Sequence, residues 1–316
     1  MSKKDLLVIG ELNIDLILNS IHGFPEVGKE IIADEIEQVL GSSSAIMAAH
    51  SSSLGVSTSF CGVIGQDDHG DFILSELKGK NVDTGLIYRS AEYKTGITII
   101  MNYGQDRANV TFCGAMEAMD VHKIPWAEIK DFRHLHISSL FIQKGLKENV
   151  LEIFKWAKDM GVSTSLDLQW DPAGKWEFNY KDCLPYVDVF MPNVQELMAL
   201  TKSGNLQNGI DKVAEYANYL IVKLGIEGSV GIHDNQVINV PAFKTSKYID
   251  AIGAGDSFNA GFIQKFIEKA PLIDCLRQGN LMGALSTTSA GGTRAFESTE
   301  VVIRKSKSIF NIDIQI

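Results

Sequence analysis

Short apolar runs alternate with helical patterns along most of the chain. The run Leu6 to Gly10 predicts a buried parallel strand, because successive apolar residues are followed by a glycine where a ligand loop would begin. Further strands are predicted at 60–65, 135–137, 162–168, 187–190, 219–224 and 229–233, and a helix at 148–160 that Gly161 ends. Repeated strand and helix units predict an α/β fold, with a mostly parallel sheet covered by helices on both faces in one main domain.

One hairpin interrupts this rhythm. Residues Thr95 to Met101 alternate as a strand does, Gly104 to Arg107 predict a turn, and a second strand is predicted around Val110 to Cys113. Because no helix separates the two strands, we assign them to a small separate sheet.

A glycine-rich turn ends in a carboxylate and leads straight into a helical pattern. Gly253 and Gly255 precede Asp256, and apolar residues then recur at helical spacing, with phenylalanines at 258, 262 and 266. The first N–H groups of a helix lack internal partners and stabilise negative charge. The turn is therefore either an anion site with a base beside it or an ordinary helix start with a favourable acidic residue.

Three polar residues follow the first strand at alternating positions. If that strand continues, Glu11, Asn13 and Asp15 share one face and can accept hydrogen bonds from the hydroxyls of a polyol. The alternative is an edge strand with a solvated polar face.

Composition and charge exclude several classes of protein. The 316 residues carry a net charge of -10 and are 45% hydrophobic, which argues against a nucleic-acid or anionic-membrane partner. No stretch is long enough to span a bilayer and the first apolar run is too short for a signal peptide, so a cytoplasmic location is expected. The cysteines are too far apart in sequence to suggest a zinc site or a disulfide framework: Cys61, Cys113, Cys183 and Cys275.

Residues 23–30 have the Gly-x4-Gly-Lys spacing of a phosphate-binding P-loop. Glu30 stands where Ser or Thr would bind magnesium, and a carboxylate there would repel phosphate. No buried strand leads directly into the segment, so we reject this interpretation.

Five motifs in order resemble the ribokinase-like, or PfkB, family of carbohydrate kinases. They are Asp15, the small-residue segment from Gly41, Asn193-x-x-Glu196, Lys223 to Gly228, and Asp250 to Asp256. The last is similar to the family's Asp-Thr-x-Gly-Ala-Gly-Asp signature, and the match runs nearly end to end.

This resemblance implies a fold and an assembly. The fold is a doubly wound α/β domain over residues 1–316 with a small β-sheet lid, whose segments are about 14–39 and 93–115. In the family such lids close over the sugar and often form a dimer contact, so a homodimer through the lid is expected.

The resemblance also implies the catalytic and substrate-binding residues. Asp256 is the base that accepts the proton of the attacking hydroxyl, and the backbone N–H groups of Gly253, Ala254 and Gly255 form the anion hole. The substrate would be held by Asn13, Asp15, Gly41, Ser42 and Ser43, with Arg107 reaching from the lid if the substrate is anionic. Arg107 as a solvated hairpin charge is the alternative.

Nucleotide and metal sites follow from the same resemblance. Residues near ATP would be Asn193, Lys223, Gly225, Gly228 and Asn280. Glu196 would help organise Mg²⁺ through water, although Asn193 and Glu196 also fit a helix capping box. Asp250 and Ile252 resemble the loop that binds a monovalent cation, such as K⁺, in some members.

The sequence departs from the family where the sugar would bind. Ser42 replaces the second glycine of the N-terminal signature, and Ile46 replaces an Asn that binds sugar hydroxyls, while Ala251 replaces Thr near the anion hole. We expect an ATP- and Mg²⁺-dependent kinase acting on a primary hydroxyl of a small sugar or sugar acid. One alternative is a nucleoside kinase, in which Ile46 would face the nucleobase of the substrate. The other is a non-catalytic sugar-binding or regulatory protein.

Overall fold

The computed structural model describes residues 3–103, 106–314 and 316. Its strands are β1 Lys4–Ile9, β2 Asn13–Ile21, β3 Ala33–Leu40, β4 Thr58–Gly65, β5 Asp83–Ser90, β6 Gly96–Tyr103, β7 Asp106–Phe112, β8 Phe132–Ser138, β9 Ser163–Asp167, β10 Val189–Phe190, β11 Tyr219–Lys223, β12 Ser229–His233 and β13 Gln236–Val240. Its α-helices are α1 Ser43–Ser53, α2 Asp68–Gly79, α3 Trp126–Ile129, α4 Lys144–Asp159, α5 Tyr180–Cys183, α6 Val194–Thr201, α7 Leu206–Ala214, α8 Ala254–Ile267, α9 Leu272–Ser286 and α10 Thr299–Phe310. Within these ranges no helix is both long enough and apolar enough to cross a membrane.

The larger sheet has the strand order β13-β12-β11-β10-β9-β8-β1-β4-β5. Every neighbouring pair from β11 to β5 is parallel, while β12 runs antiparallel to both of its neighbours. The chain leaves β1 toward β4 on one side and later returns to β8 on the other. This reversal of strand order opens a crevice at the carboxyl ends of the strands, where doubly wound sheets bind their ligands.

Both faces of the larger sheet are buried. In β1, Leu6 and Val8 pack into one hydrophobic cluster with α1 and α8, and Leu7 and Ile9 pack into the other cluster with α4. An uninterrupted apolar strand therefore serves two cores, because successive side chains point to opposite faces. The predicted α/β sheet with helices on both faces is confirmed.

The smaller sheet has the order β3-β2-β6-β7 and follows directly from the end of β1. Its β6 and β7 form the predicted antiparallel hairpin, and β2 pairs parallel with β6. Of the predicted turn at 104–107, Gly104 and Gln105 lie outside the described residues. The sheet falls in the two segments predicted for a lid; its closure over a substrate stays a prediction.

The first strand does not continue through Asp15, so the condition for one face shared by Glu11, Asn13 and Asp15 is not met. β1 ends at Ile9 and Glu11 lies in the connection to β2, because the chain passes from the larger sheet to the smaller one there. Gly10 is needed at this crossing, since a Cβ would collide with the side chain of Ser44. The edge-strand alternative fails too, because Glu11 is 1% exposed and Asp15 is 7% exposed. The helix predicted at 148–160 begins earlier, at Lys144.

Candidate active site

Two cavities meet at the turn that precedes α8. The polar cavity, of about 230 Å³, lies between the smaller sheet and the carboxyl edge of the larger sheet, and the apolar cavity, of about 690 Å³, lies beyond the turn. The polar cavity is lined by Glu11, Asn13, Asp15, Ser42, Ser43, Ile46, Thr98, Ile100, Arg107, Asn109, Thr111, Ser139, Ile142, Gln169, Ile252, Gly253 and Asp256.

One face of the smaller sheet forms a wall of the polar cavity. Asp15 is paired in register with Thr98, and Thr98 with Thr111, so their side chains project from the same face. Asn13 and Arg107 occupy alternate positions of that face and also line the cavity. The sequence prediction of an acceptor-rich face therefore holds for β2, and the hairpin adds polar groups that sequence reasoning left unassigned.

Asp15 is a buried carboxylate held by its neighbours. The amide of Asn13 donates to Asp15 Oδ1 over 2.9 Å and to Thr98 Oγ1 over 3.0 Å. Gly41 is required beside them, because a Cβ there would collide with both side chains. Burial raises the pKa of Asp15 to about 6, although the Asn13 hydrogen bond and the charge of Arg107 lower it. The site can thus offer hydroxyl groups a carboxylate with a fixed orientation.

Ser42 and Ser43 begin the first helix at the cavity. Ser42 is the N-cap of α1, with its hydroxyl accepting from the N–H of Ala45 at 3.0 Å. Ser43 donates its hydroxyl to Asp256 Oδ1 across the cavity. The structure therefore joins the small-residue segment of the sequence to the carboxylate some two hundred residues later.

Sequence reasoning left Glu11 out of the site residues. Its carboxylate accepts from the N–H of Ser44 at 3.1 Å and from the amide of Gln143 at 3.3 Å, and also from the Ser44 hydroxyl. Burial raises the pKa of Glu11, against the hydrogen bonds from Ser44 that lower it. The sequence suggested Glu11 as a hydroxyl acceptor only if the first strand continued, whereas the structure brings it to the cavity in the connection between β1 and β2.

The turn at 253–256 faces both cavities. Gly253 and Asp256 line the polar cavity, whereas Ala254 and Gly255 line the apolar one. Gly253 is the N-cap of α8 with φ of 71°, a left-handed conformation that favours glycine. Among the described residues the N–H groups of Gly253 and Gly255 have no acceptor, while that of Ala254 donates to the carbonyl of Ala251 at 3.2 Å. The turn thus offers free N–H donors at the positive end of a helix.

Asp256 lies where the two cavities meet. Its Oδ1 accepts from Ser43 and, at 3.1 Å, from the amide of Gln169. Burial raises the pKa of Asp256 to about 7; the Ser43 hydrogen bond and Lys223 oppose this, while Asp167 and Glu11 add to it. A carboxylate with a pKa near neutrality is well matched to accepting a proton at physiological pH.

A buried ion pair lies behind Asp256. Lys223 Nζ donates to Asp167 Oδ2 at 2.5 Å, and the same oxygen accepts from Asn259 at 2.6 Å. Burial alone would lower the pKa of Lys223, but Asp167, Glu196 and Asp256 outweigh it and the pKa is raised. Lys223 therefore stays charged. Asp167 was not among the predicted site residues, although it falls inside a predicted strand.

Asn193 and Glu196 form the capping box that the sequence allowed. Asn193 accepts from the N–H of Glu196 at 2.9 Å, and Glu196 Oε2 accepts from the N–H of Asn193 at 2.8 Å. Neither residue lines the two cavities. Burial and the charge of Asp167 raise the pKa of Glu196 to about 7, while Lys223 lowers it.

The donor set around Glu196 fits a hydrated cation. Within the described ranges no three His, Cys, Asp or Glu residues cluster to hold a metal directly. Mg²⁺ usually keeps several waters and binds one or two carboxylates together with substrate phosphates. Glu196 Oε1, which accepts no hydrogen bond from the described residues, suits contact through water. The magnesium role stays a prediction.

The apolar cavity contains the remaining residues predicted to bind the nucleotide. Lys223, Gly225, Gly228 and Asn280 line it. Asn280 donates its amide to the carbonyl of Val240 at 3.0 Å, which ties α9 to the end of β13. A cavity of this size with mainly apolar walls and a lysine at one end fits a purine base and its phosphates.

Asp250 and Ile46 occupy places beside the turn. Asp250 Oδ1 accepts from the N–H of Ile252 at 2.7 Å and Oδ2 from that of Gly291 at 2.8 Å, so the carboxylate bridges two loops. Each oxygen keeps a further lone pair, which fits the oxygen ligands of a hard cation. Ile46 packs against Gly253 and Gly292 at the edge of the polar cavity.

Comparison with known proteins places these features in a family. The family model for pfkB family carbohydrate kinases matches residues 3–299. A ribokinase of Lactococcus lactis is 27% identical over 316 residues, covering 96% of this chain and 97% of that protein. The 2-dehydro-3-deoxygluconokinase of Bacillus subtilis is 23% identical over 305 residues, covering 92% of this chain and 91% of that protein.

Solved structures have the same fold. Arabidopsis thaliana ribokinase, complexed with ribose and ATP, superposes with a TM-score of 0.82 at 22% identity, covering 96% of this chain and 98% of that one. The nucleoside kinase of Methanocaldococcus jannaschii gives a TM-score of 0.81 at 22% identity, covering 97% and 100%. The fold predicted from the resemblance is confirmed, and this chain belongs to the pfkB family of carbohydrate kinases, which use ATP to phosphorylate sugars.

Proposed function

We propose that this kinase transfers the γ-phosphoryl group of ATP to a primary hydroxyl of a small sugar or sugar acid, with Asp256 as the base. The observation that carries the proposal is that one turn faces both cavities, with Gly253 and Asp256 toward the polar one and Ala254 and Gly255 toward the apolar one. Two substrates held in those cavities would bring their reacting groups together at this turn. Phosphoryl transfer depends mainly on such positioning and on stabilising charge.

Asp256 accepts the proton of the attacking hydroxyl. Its Oδ1 is occupied by Ser43 and Gln169, whereas Oδ2 accepts no hydrogen bond from the described residues. The acceptor oxygen forms a bond to the γ-phosphorus, the bond from that phosphorus to the β,γ-bridging oxygen breaks, ADP leaves, and the hydroxyl proton passes to Oδ2. General-base catalysis of this kind contributes roughly 10²–10⁴-fold.

Charge on the transferring group is stabilised from two sides. The free N–H groups of Gly253 and Gly255 and the positive end of α8 form the anion hole. Lys223, which the neighbouring carboxylates keep charged, lies near Gly255 and attracts the phosphates. Bound Mg²⁺ supplies further neutralisation of phosphate charge, and Glu196 is the residue that would hold it through water.

The polar cavity suits a small acceptor with several hydroxyls. Its volume of about 230 Å³ is below the roughly 300–1,000 Å³ of pockets for drug-sized ligands. Asp15, Asn13 and Glu11 supply acceptors for hydroxyl groups, and Arg107 supplies the cation that the carboxylate of a sugar acid needs. The likeness to a 2-dehydro-3-deoxygluconokinase supports a sugar acid as one substrate class.

We extend the proposal to a monovalent cation and to a homodimer. Asp250 and the carbonyl of Ile252 supply oxygen ligands for K⁺ beside the anion hole.

The outer face of the smaller sheet exposes apolar side chains, among them Ile36, Val110 and Phe112, which are 67%, 58% and 57% exposed. If this face forms the dimer, Val110→Lys should convert a dimer to a monomer in light scattering; an unchanged mass would contradict it.

A nucleoside is the second candidate acceptor. Ile46, Ile100, Ile142 and Ile252 all line the polar cavity and offer an apolar surface to a base. The likeness in fold to a nucleoside kinase agrees with this candidate. Such a substrate needs more room than a free sugar, which favours the sugar.

A substrate panel tests the proposal. ADP release is measured with pentoses, hexoses, sugar acids and nucleosides, each with ATP and Mg²⁺, and products are located by phosphorus NMR. The proposal predicts turnover with a sugar or sugar acid and phosphate on a primary carbon. Turnover with nucleosides alone selects the second candidate. Sugar binding by calorimetry without ADP release from any member would indicate a non-catalytic binding protein.

A further inference from the structure

Gln169 links the two halves of the candidate active site. Its amide nitrogen lies 2.7 Å from Ser43 Oγ, 3.1 Å from Asp256 Oδ1 and 3.2 Å from Asp167 Oδ2. These three partners belong to α1, to α8 and to the end of β9. An amide group has two N–H donors, so one small group ties the acceptor side of the site to the buried ion pair.

The backbone at Gln169 is held in an uncommon conformation. Its φ of 58° lies in the left-handed region, which costs energy for a residue other than glycine. The carboxylate of Asp167 accepts from the N–H of Gln169 at 3.3 Å and helps to hold this turn. The turn directs the side chain back over the end of the sheet toward Asp256 instead of outward.

We propose that Gln169 is a positioning residue for phosphoryl transfer: its amide fixes the orientation of the Asp256 carboxylate so that Oδ2 faces the attacking hydroxyl. This inference rests on the proposed role of Asp256 as base. Ser43 alone does not fix the carboxylate, because its hydroxyl rotates freely. Gln169 donates to Ser43, so the Ser43 hydrogen points to Asp256 Oδ1, and both donors then converge on the same oxygen.

The charges around Asp256 explain why an uncharged amide belongs here. Asp167 and Glu11 disfavour a negative charge on Asp256, and Lys223 favours it. Glu196 faces Lys223 from α6 and shares that positive charge with Asp167. A neutral donor stabilises the ionised base without adding another charge to this group.

The test is the pH profile of kcat/KM for Gln169→Leu, using the substrate identified by the panel. Removing a hydrogen bond to a charged group should lower kcat near neutral pH by roughly 10- to 100-fold. The acid limb should move up by about one pH unit, because the ionised form of Asp256 loses a donor. KM for ATP should change little, since Gln169 does not line the apolar cavity.

Gln169→Glu is a second variant of the same shape. It replaces the donor by a carboxylate between Asp167 and Asp256, so the acid limb should move further up than in Gln169→Leu. Gln278→Leu is the matched control, because Gln278 is a buried glutamine bonded to Gln264 outside both cavities. It should leave the acid limb where it is in the unchanged protein.

The outcomes separate this inference from the proposed function. If Asp256→Asn abolishes turnover while both Gln169 variants keep the kcat and the acid limb of the unchanged protein, Gln169 does not position the base. If kcat falls equally at every pH in Gln169→Leu and in Gln278→Leu, the loss comes from damage to the fold. That outcome would also overturn the inference. If Asp256→Asn keeps its turnover, the proposed base itself is wrong.

Discussion

The polar and apolar cavities meet at one turn, yet they differ in how they are built. The apolar cavity is formed by short contiguous segments of the larger sheet's edge and by α8 and α9, and it contains the motif residues Lys223, Ala254 and Gly255 together with one mild departure, Ala251. The polar cavity is assembled from both sheets, α1 and several loops, and it contains the departures at Ser42 and Ile46. The turn has therefore kept its glycines and its carboxylate and lost only one hydroxyl, at Ala251, while the acceptor side has exchanged an amide for the aliphatic side chain of Ile46.

This difference teaches where specificity lies. A phosphate donor of fixed chemistry needs the same N–H groups and lysine whatever the acceptor, whereas each sugar needs its own set of hydrogen-bond partners. Changes on the two sides should therefore have different consequences: loss of rate at the turn and a change of preference at the polar cavity.

The largest effect is expected at the junction of the cavities. Asp256→Asn removes the proton acceptor but keeps the shape of the side chain, so kcat should fall by roughly 10²–10⁴-fold. The measurement is steady-state ADP release with the preferred sugar. A fall confined to KM would place Asp256 in binding alone and would break the distinction between the two sides.

The second effect tests the ion pair behind the turn. Lys223→Met leaves the carboxylate of Asp167, which is 0% exposed, without its partner. Breaking a buried pair in this way costs about 3–5 kcal/mol of the free energy of unfolding. Urea unfolding measures it, and the double variant Lys223→Met with Asp167→Asn should recover part of the loss. No recovery would mean that the lysine acts through packing.

A third effect concerns stability and pH. The pKa of Asp256 is raised from 3.8 to about 7, so between these values the folded protein keeps a proton that the unfolded chain releases. The free energy of unfolding therefore falls as pH rises through this window, and the penalty is complete above about pH 7. Asp256→Asn removes the penalty.

Thermal unfolding checks this prediction. At about pH 8 the Asp256→Asn variant should unfold at a temperature at least about 2 °C above that of the unchanged protein. The difference should shrink toward about pH 4, because the carboxyl of the unfolded chain begins to bind a proton as the pH approaches 3.8. The quantity to compare is the unfolding temperature of the variant minus that of the unchanged protein. If this difference is smaller at pH 8 than at pH 4, the direction of the pKa shift is contradicted.

The smallest effect is expected on the acceptor side. Ile46→Asn places an amide where the family has one, so preference among sugars should shift by about tenfold in kcat/KM while KM for ATP stays the same. The panel of sugars measured with both proteins tests this. Ile46→Val is the control for lost packing against Gly253 and Gly292. If both variants lose rate on all substrates alike, Ile46 supports the turn instead of selecting the acceptor.

The turn at 253–256 could be predicted from sequence because its physics is local. The glycines, the following helical pattern and the acidic residue are contiguous, and the free N–H groups follow from the start of a helix. The alternation of strands and helices likewise predicted the layered fold. These features depend on spacing along the chain and not on which strands become neighbours.

Asp167 and Gln169 could not be assigned in this way, and Glu11 was suggested only on the condition that the first strand continues. Asp167 pairs with Lys223 because β9 and β11 lie on either side of β10, and sequence gives no strand order at that detail. Gln169 reaches Asp256 because its backbone is left-handed, and a glutamine in the sequence gives no indication of that conformation. Glu11 enters the site because the chain passes there from one sheet to the other. Each depends on contacts between segments distant in sequence.

The central claim is that the two cavities hold two different substrates and that Asp256 lies between them. The most direct test of this claim is calorimetric titration of the Asp256→Asn variant. The variant is titrated with ATP and Mg²⁺, with the preferred sugar, and with each ligand after saturation with the other. The account predicts that both ligands bind at once while turnover is lost. Competition between sugar and ATP for one site, or loss of ATP binding in this variant, would contradict it.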